Sequence, residues 1–490
     1  MGQIAFDVTN LVRIEISGVW FRDFSPDSLD VTDSAEFKCI CSVSSSGFSA
    51  TQSNTSIFAV ALSTSCLACH KWSKPNKSAV MSAVINSLPS SSSSLGENTR
   101  PELLSKIEGN TAKINGICLF TREEGVVTIS EDRVLRVFLK RETGQYWPSI
   151  HQQLPLVPTV LSIDEQSMKL FVGFANGRVL EYSVAEDFNS LTEKHGWSVH
   201  TNVITGVIYA SESDVVLSCS RDKSVLAHCS ETSAKVGSYL CETSCTALDY
   251  DSLSKFVFVG DFAGSVNVLR IMDNAIQLVK KLSAHTGAIT SLAWDYSRQM
   301  LFSGSSDQLV IMWDLGGKKG QAYELNGHDA KVMCLQYAQE KGRLFSADAT
   351  GAFVCWDMMA NRIETPDWRS SDNCELCDSP FFWNFKAMWD RKVVGLRQHH
   401  CRTCGKAVCG TCCNEWTKYP PMGYEKPVRI CTVCNKKMKE HPEQFDLTSL
   451  ASFCDLRQGI VCSDLKEKIG RFATVGYDRV IMIWDVSRMV

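Results

Sequence analysis

From about residue 101 the chain is patterned in short apolar runs separated by polar turns. One unit reads Ile114-Asn115-Gly116-Ile117-Cys118-Leu119, then Gly125-Val126-Val127-Thr128-Ile129-Ser130-Glu131-Asp132, then Leu135-Arg136-Val137-Phe138. Runs of this length, rich in β-branched residues and bounded by Gly and Asp, predict antiparallel strands. The unit recurs six times before residue 365, with turns centred on Asp132, Asn176, Asp222, Asp261, Asp307 and Asp348. A seventh copy stands at the far end, around Phe472 to Val475, Asp478 and Ile481-Met482-Ile483-Trp484-Asp485.

The fifth copy opens on Ala284-His285, continues through Leu301-Phe302-Ser303-Gly304-Ser305-Ser306-Asp307 and ends Val310-Ile311-Met312-Trp313-Asp314. The sixth opens on Gly327-His328 and closes on Trp356-Asp357. This spacing resembles the WD repeat, whose period is about 40 to 45 residues and whose unit is one propeller blade. The resemblance implies a mainly β fold, a seven-bladed propeller. It also implies that each repeat supplies the outermost strand of the blade before it. Leu103 to Ile107 then complete the blade formed by residues 451 to 486, which joins the two ends of the ring and leaves few open strand edges. Ser303, His285 and Asp307 are the residue types of a hydrolase triad. In WD repeats, however, these residues and the strand tryptophan, here Trp313, form a hydrogen-bonded brace within one blade. A nucleophilic serine needs a strained, exposed turn and an oxyanion hole beside it.

Composition narrows the class. The 490 residues carry a net charge of -4, which excludes a chain-wide polycation built for nucleic acid. No apolar run approaches the length of a membrane span, and Ile57 to Leu67 is short and broken by Ser and Thr. The start carries no secretory pattern, and Phe6 stands where a myristoylation motif takes Ser or Thr, so the expected compartment is the cytosol. There the 22 cysteines are expected as thiols or metal ligands rather than disulfides. Cys66, Cys69 and His70 resemble half a metal site without a second half, and are read as incidental. The run Ser90 to Ser94 has the composition of a flexible linker.

Four C-x-x-C pairs lie close together: Cys374/Cys377, Cys401/Cys404, Cys409/Cys412 and Cys431/Cys434. A tight turn lets two thiolates face one ion, so four pairs predict two structural zincs. A module this small buries little core, and metal must supply folding free energy. Cys413 is a spare thiol in poorer register. Spacing alone does not separate FYVE, RING and PHD fingers. The run Arg397-Gln398-His399-His400-Cys401-Arg402-Thr403-Cys404-Gly405 does: it resembles the FYVE signature R-[RK]-H-H-C-R-x-C-G. Arg429-Ile430 before Cys431 is similar to the family's R-V-C, and Trp368 with Asp372 to its W-x-x-D. The resemblance implies one zinc on Cys374, Cys377, Cys409 and Cys412, and a second on Cys401, Cys404, Cys431 and Cys434. It further implies a phosphatidylinositol 3-phosphate site of Arg397, His399, His400, Arg402, Arg429 and Asp372, with Val393 and Val394 entering the bilayer.

The chemistry suits this. A phosphomonoester is matched by forked arginine donors, and charged histidines add donors as pH falls. From Cys374 to Cys434 nine Lys or Arg face five Asp or Glu, so a basic module of net +4 sits in an acidic protein. Leu396 is expected in the core, because strand side chains alternate. There are departures from the pattern. Gln398 replaces a basic residue, Asp372 falls four residues after Trp368 with Ser371 in the usual place, and the Cys377 to Cys401 gap is long. That gap holds Pro380-Phe381-Phe382-Trp383-Asn384-Phe385, Met388 and Trp389. Phe381, Phe385, Met388 and Trp389 fit one helical face and are expected to pack the finger against the propeller.

A FYVE finger between the sixth and seventh WD repeats is similar to the WD-repeat-and-FYVE-domain proteins. The similarity spans residues 101 to 490. The expected domains are an N-terminal extension (1–100), blades one to six (101–365), the finger (366–440) and blade seven (441–490). The family implies a non-enzymatic adaptor, cytoplasmic and peripheral on early endosomes, that holds signalling proteins, kinases among them, on its propeller. A single finger of this kind binds weakly, which calls for a second contact or self-association. The alternatives are a RING-like ubiquitin ligase, against which the basic R-x-H-H-C-R strand argues, and a nucleic-acid binder. The latter is not expected, because the aromatic and basic residues form no stacking platform.

Overall fold

The computed structural model describes residues 100–272, 275–317 and 322–490, together with the backbone of 57–62 and 66–71. In the unit formed by residues 1–91, Ile57–Leu62 pairs antiparallel with Cys66–Lys71. Of the apolar stretch singled out there, Ile57–Leu62 is thus a strand that pairs with the one beginning at Cys66. The Ser90 to Ser94 run and the side chains of Cys66, Cys69 and His70 lie outside the described residues. Among the described residues, no helix is long and apolar enough to cross a membrane.

Residues 92–490 form the other unit, and its bulk is seven four-stranded antiparallel sheets. Blade five shows the plan: Ile289–Asp295 is innermost, then Met300–Ser305, Val310–Asp314 and Ala322–Leu325 at the rim. Innermost strands of consecutive blades touch all the way round, so the sheets close into a ring. Second strands are buried on both faces between neighbouring blades. Every residue of Val126–Ser130 and of Val215–Ser220 is buried. This is why these strands read as continuous apolar runs rather than as alternation. Rim strands such as Leu191–Ser198 are mostly exposed. The core lies between the sheets: Val127, Ile129 and Leu135 of one blade pack with Leu161, Val172 and Phe174 of the next.

The ring closes where Glu102–Ile107 pairs with Ile481–Asp485, as the rim strand of blade seven. Ile107 and Ile114 then share a core with Val475 and Ile483 from the far end of the chain. One boundary needs correction. Ala451–Asp455 pairs with Ala352–Asp357 and is the rim strand of blade six, so blade seven starts at Ile460 and not near 441. The finger therefore interrupts blade six between its third and fourth strands.

The finger is seated on the rim. Asn326, just past the last strand of blade five, donates its N–H to the Gly423 carbonyl and accepts from Glu425 N–H at 3.2 Å. Gly423 has φ +89, and a Cβ there would strike the Glu324 carbonyl at 2.1 Å, so this approach needs glycine. The buried Glu425 carboxylate accepts from Ser449 Oγ and Leu450 N–H at 2.7 Å each, holding the returning chain beside blade six. Burial raises the Glu425 pKa. Burial likewise pulls the Arg362 guanidinium down to about 10, with Glu425 and Asp357 supplying the opposing charge.

Candidate functional site

The finger is built from two short hairpins and two helices. Gln398–His400 pairs with Ala407–Cys409, and Glu415–Tyr419 with Tyr424–Ile430. Helix α1 spans Phe385–Arg391 and helix α2 spans Thr432–Glu440. Cys374, Cys377, Cys409 and Cys412 gather their sulfurs within 4.8 Å of one another, and so do Cys401, Cys404, Cys431 and Cys434. The Cys377–Cys409 and Cys404–Cys431 sulfur separations are 3.7 and 4.0 Å. Four thiolates about 2.3 Å from a tetrahedral zinc stand about 3.8 Å apart, so the geometry fits the ion. Backbone N–H groups of Cys409 and Cys431 point at Cys374 Sγ and Cys401 Sγ, and Cys431 Sγ caps α2 by accepting from Cys434 N–H. Such donors favour the ionised sulfur a metal requires. Cys413 belongs to neither cluster. It is buried, which pushes its thiol up to about 12, and its carbonyl accepts from Arg429 Nη1 at 2.8 Å.

The signature strand carries its cations onto an aromatic support. Trp368 stacks on His400 with ring centres 4.8 Å apart and planes 10° apart, and the Arg402 guanidinium lies 4.5 Å from the same indole. His400 Nε2 is 3.1 Å from the Arg369 carbonyl. Gly405, at φ +71, makes the close approach possible. Its carbonyl accepts from Arg369 N–H, and a Cβ there would meet the Asp367 carbonyl at 2.2 Å. Arg402 N–H bonds the Arg429 carbonyl at 3.2 Å, which ties the two arginine segments together. The Arg429 guanidinium also lies 4.9 Å from the Trp416 ring, a support that the sequence motifs did not single out. Arg397 is exposed at the start of the strand. His399 has a lowered pKa, first through burial and then through Arg429, Arg397 and His400.

Asp372 is exposed, and one oxygen of its carboxylate accepts from the Trp383 indole N–H at 3.0 Å. Ser371 turns back on the backbone and bonds the Asn373 carbonyl. Val393 and Val394 are exposed, and Leu396 lies at the surface too rather than in the core. The expectation for the aromatic insert is also corrected. Phe381 precedes α1 and is buried in the finger's own core, and Met388 sits half-buried against Gly395. Phe385 and Trp389 remain in solvent, so they do not pack on the propeller. The propeller is met by Gly423 to Lys426 instead.

In blade five, His285 bonds Asp307 through Nδ1 at 3.0 Å and Ser303 through Nε2 at 2.9 Å, and Trp313 Nε1 donates to Ser303 Oγ at 2.8 Å. Ser303 is fully buried. Blade six repeats this with His328, Ser346, Asp348 and Trp356. Blade three keeps His200, Ser218 and Asp222 without the tryptophan. In blade seven Gln458, Thr474, Asp478 and Trp484 take the same places. Burial would raise the Asp307 and Asp348 carboxyls, but hydrogen bonds and charge from His285 and His328 outweigh it and hold each at about 2.

A closed ring of WD-type blades carrying a two-zinc finger defines a propeller protein of the FYVE class. Family models agree: a FYVE zinc finger matches residues 365–440, and a WD domain, G-beta repeat, matches 276–314. WD repeat and FYVE domain-containing protein 2 of Caenorhabditis elegans is 55% identical over 406 residues, covering 83% of this chain and 97% of that protein. WD repeat and FYVE domain-containing protein 1 of Mus musculus is 40% identical, covering 84% and 97%, and protein 2 of Homo sapiens is 41% identical, covering 80% and 97%. The chain belongs to the WD repeat and FYVE domain-containing protein family. The fold is also shared with a chain of a solved structure, "Crystal Structure of Mitotic Checkpoint Complex", at TM-score 0.52 and 12% identity, covering 81% of this chain and 96% of that one. A zinc finger joined to a propeller is the architecture of an adaptor or scaffold.

Proposed function

We propose that the protein docks on early endosomal membranes by binding phosphatidylinositol 3-phosphate through its finger, and presents the propeller as a platform for signalling proteins. The observation that carries this is the Trp368 stack, which holds His400 and Arg402 side by side next to Arg397 and the exposed Val393-Val394 turn. Arg402, Arg397 and Arg429 supply forked donors for a phosphomonoester, and His399 and His400 add ring N–H groups. Asp372, exposed and braced through one oxygen by Trp383, is the acid offered to the inositol hydroxyls beside the histidines. The protein acts without catalysis of its own. Ser303 is buried and already bonded by both His285 and Trp313, which leaves it no path to a substrate.

Titration calorimetry of the zinc-loaded protein with soluble inositol 1,3-bisphosphate tests the site. Arg402→Ala is expected to lower affinity about ten- to a hundredfold, in line with the loss of charge-assisted hydrogen bonds. An unchanged affinity would sink the assignment.

A further inference from the structure

Phe385 and Trp389 stand four residues apart on α1, so they project from one face, and they are 73% and 84% exposed. Phe382 precedes them and Val393, Val394 and Leu396 follow, all exposed. Isolated apolar side chains at a surface need no explanation, but a contiguous patch of this kind marks a docking face.

The patch is rigid. Phe381 anchors one end in the finger core. Asn384 caps α1 by accepting from Ala387 N–H, and Lys392, in the left-handed region, closes it by donating to the Met388 and Trp389 carbonyls. The helix is then bolted to the turn that follows. Val393 N–H bonds the Met388 carbonyl at 3.1 Å, Leu396 N–H bonds the Pro380 carbonyl at 2.9 Å, and Phe382 N–H bonds the Leu396 carbonyl at 3.1 Å. Gly395 N–H lies 2.8 Å from Met388 Sδ, and a Cβ at Gly395 would meet that sulfur at 2.6 Å and Phe382 Cα at 2.8 Å. Only glycine lets the turn lie this close. Helix and turn therefore form one plate that ends at Arg397.

We propose that this plate is a second bilayer-inserting element: Phe385 and Trp389 enter the interfacial layer of an anionic membrane beside Val393 and Val394. The proposal takes its orientation from the lipid reading above, and adds a binding component that does not read the phosphate. Two observations select lipid as the occupant. The plate is continuous with the head-group strand, and its rim carries the exposed cations Lys386, Lys392 and Arg397 beside Asp390, while Arg391 is paired with Asp378 at 2.8 Å. Indole and phenyl rings also favour the depth at which head groups meet acyl chains. Selectivity then belongs to the signature strand, and much of the affinity belongs to α1. This accounts for how a finger with Gln398 in place of a basic residue holds a membrane.

The test uses the full zinc-loaded chain as wild type, Phe385→Ala/Trp389→Ala and Arg402→Ala. Each is floated with phosphatidylcholine–phosphatidylserine vesicles, with and without phosphatidylinositol 3-phosphate, and injected under monolayers of the same composition. Zinc stoichiometry verifies folding, which is expected to hold because both aromatics are exposed. The double variant is expected to lose on the order of ten- to a hundredfold in affinity for both vesicle types. It should keep the wild-type ratio between them and insert only at lower surface pressure. Arg402→Ala is expected to lose the ratio and keep the insertion. Wild-type affinity and insertion in the double variant would overturn the proposal. So would a lipid-free dimer, seen by sedimentation, that the double variant abolishes while its bilayer affinity stays intact, since that outcome gives the plate to a second copy. If the wild type shows no preference for the 3-phosphate but the double variant still loses insertion, the head-group reading fails and the plate stands.

Discussion

At the scale of single residues, the finger's arginines work through what supports them. Trp368 holds both His400 and Arg402, so Trp368→Ala is expected to weaken head-group binding without touching a charge. In a double-mutant cycle with Arg402→Ala, the two losses should fall well short of additive, because residues in contact share one interaction. Additive losses in the calorimeter would mean that Trp368 acts independently of the arginine. Ser303 offers a similar case in the propeller. Ser303→Ala leaves His285 Nε2 and Trp313 Nε1 buried without a partner, at a cost of about 1–3 kcal/mol in urea unfolding. Much of this was legible in the residues themselves. The arginine and histidine strand announces itself by motif, and the serine by its place in a WD repeat. Other points were not. Asp372 and Trp383 lie eleven residues apart, and only the folded insert brings indole to carboxylate. Trp416 faces Arg429 across a strand pair whose register no motif records.

At the scale of elements, the blades carry acid sensitivity through their braces. Asp307 and Asp348 are held at about 2, below the ordinary 3.8. A depressed carboxyl stabilises the fold above its unfolded value and loses that contribution as pH falls through the folded value. The urea midpoint of the propeller should therefore fall between pH 4 and pH 2. Asp307→Asn should flatten that fall, and a midpoint with the same slope in the variant would contradict the assignment. The strand pattern made the seven repeats readable because second strands are buried on both faces. It did not show that Ala451–Asp455 belongs to blade six, because strand pairing across the finger is a tertiary choice. Nor did helical spacing reveal that Phe385 and Trp389 face solvent. Spacing puts residues on one face and is silent about what covers that face.

At the scale of the molecule, finger and ring are mechanically one. The rim strand of blade six returns only after the finger, and Glu425 holds that return through Ser449 and Leu450. Zinc removal is therefore expected to loosen more than the finger. Hydrogen exchange after chelation should rise in Tyr424–Ile430 and also in Ala451–Asp455, while Val215–Ser220 on blade three stays protected. Protection unchanged in Ala451–Asp455 would show that blade six holds its rim without the finger.

The central claim is that the finger places this protein on membranes marked by one phosphoinositide. Co-sedimentation of the zinc-loaded chain with liposomes is the direct test, comparing phosphatidylinositol 3-phosphate with the unphosphorylated lipid and the 4- and 5-phosphate isomers. Binding selective for the 3-phosphate and abolished by chelator is the predicted result. Equal binding to every anionic lipid, or binding indifferent to zinc, would contradict it.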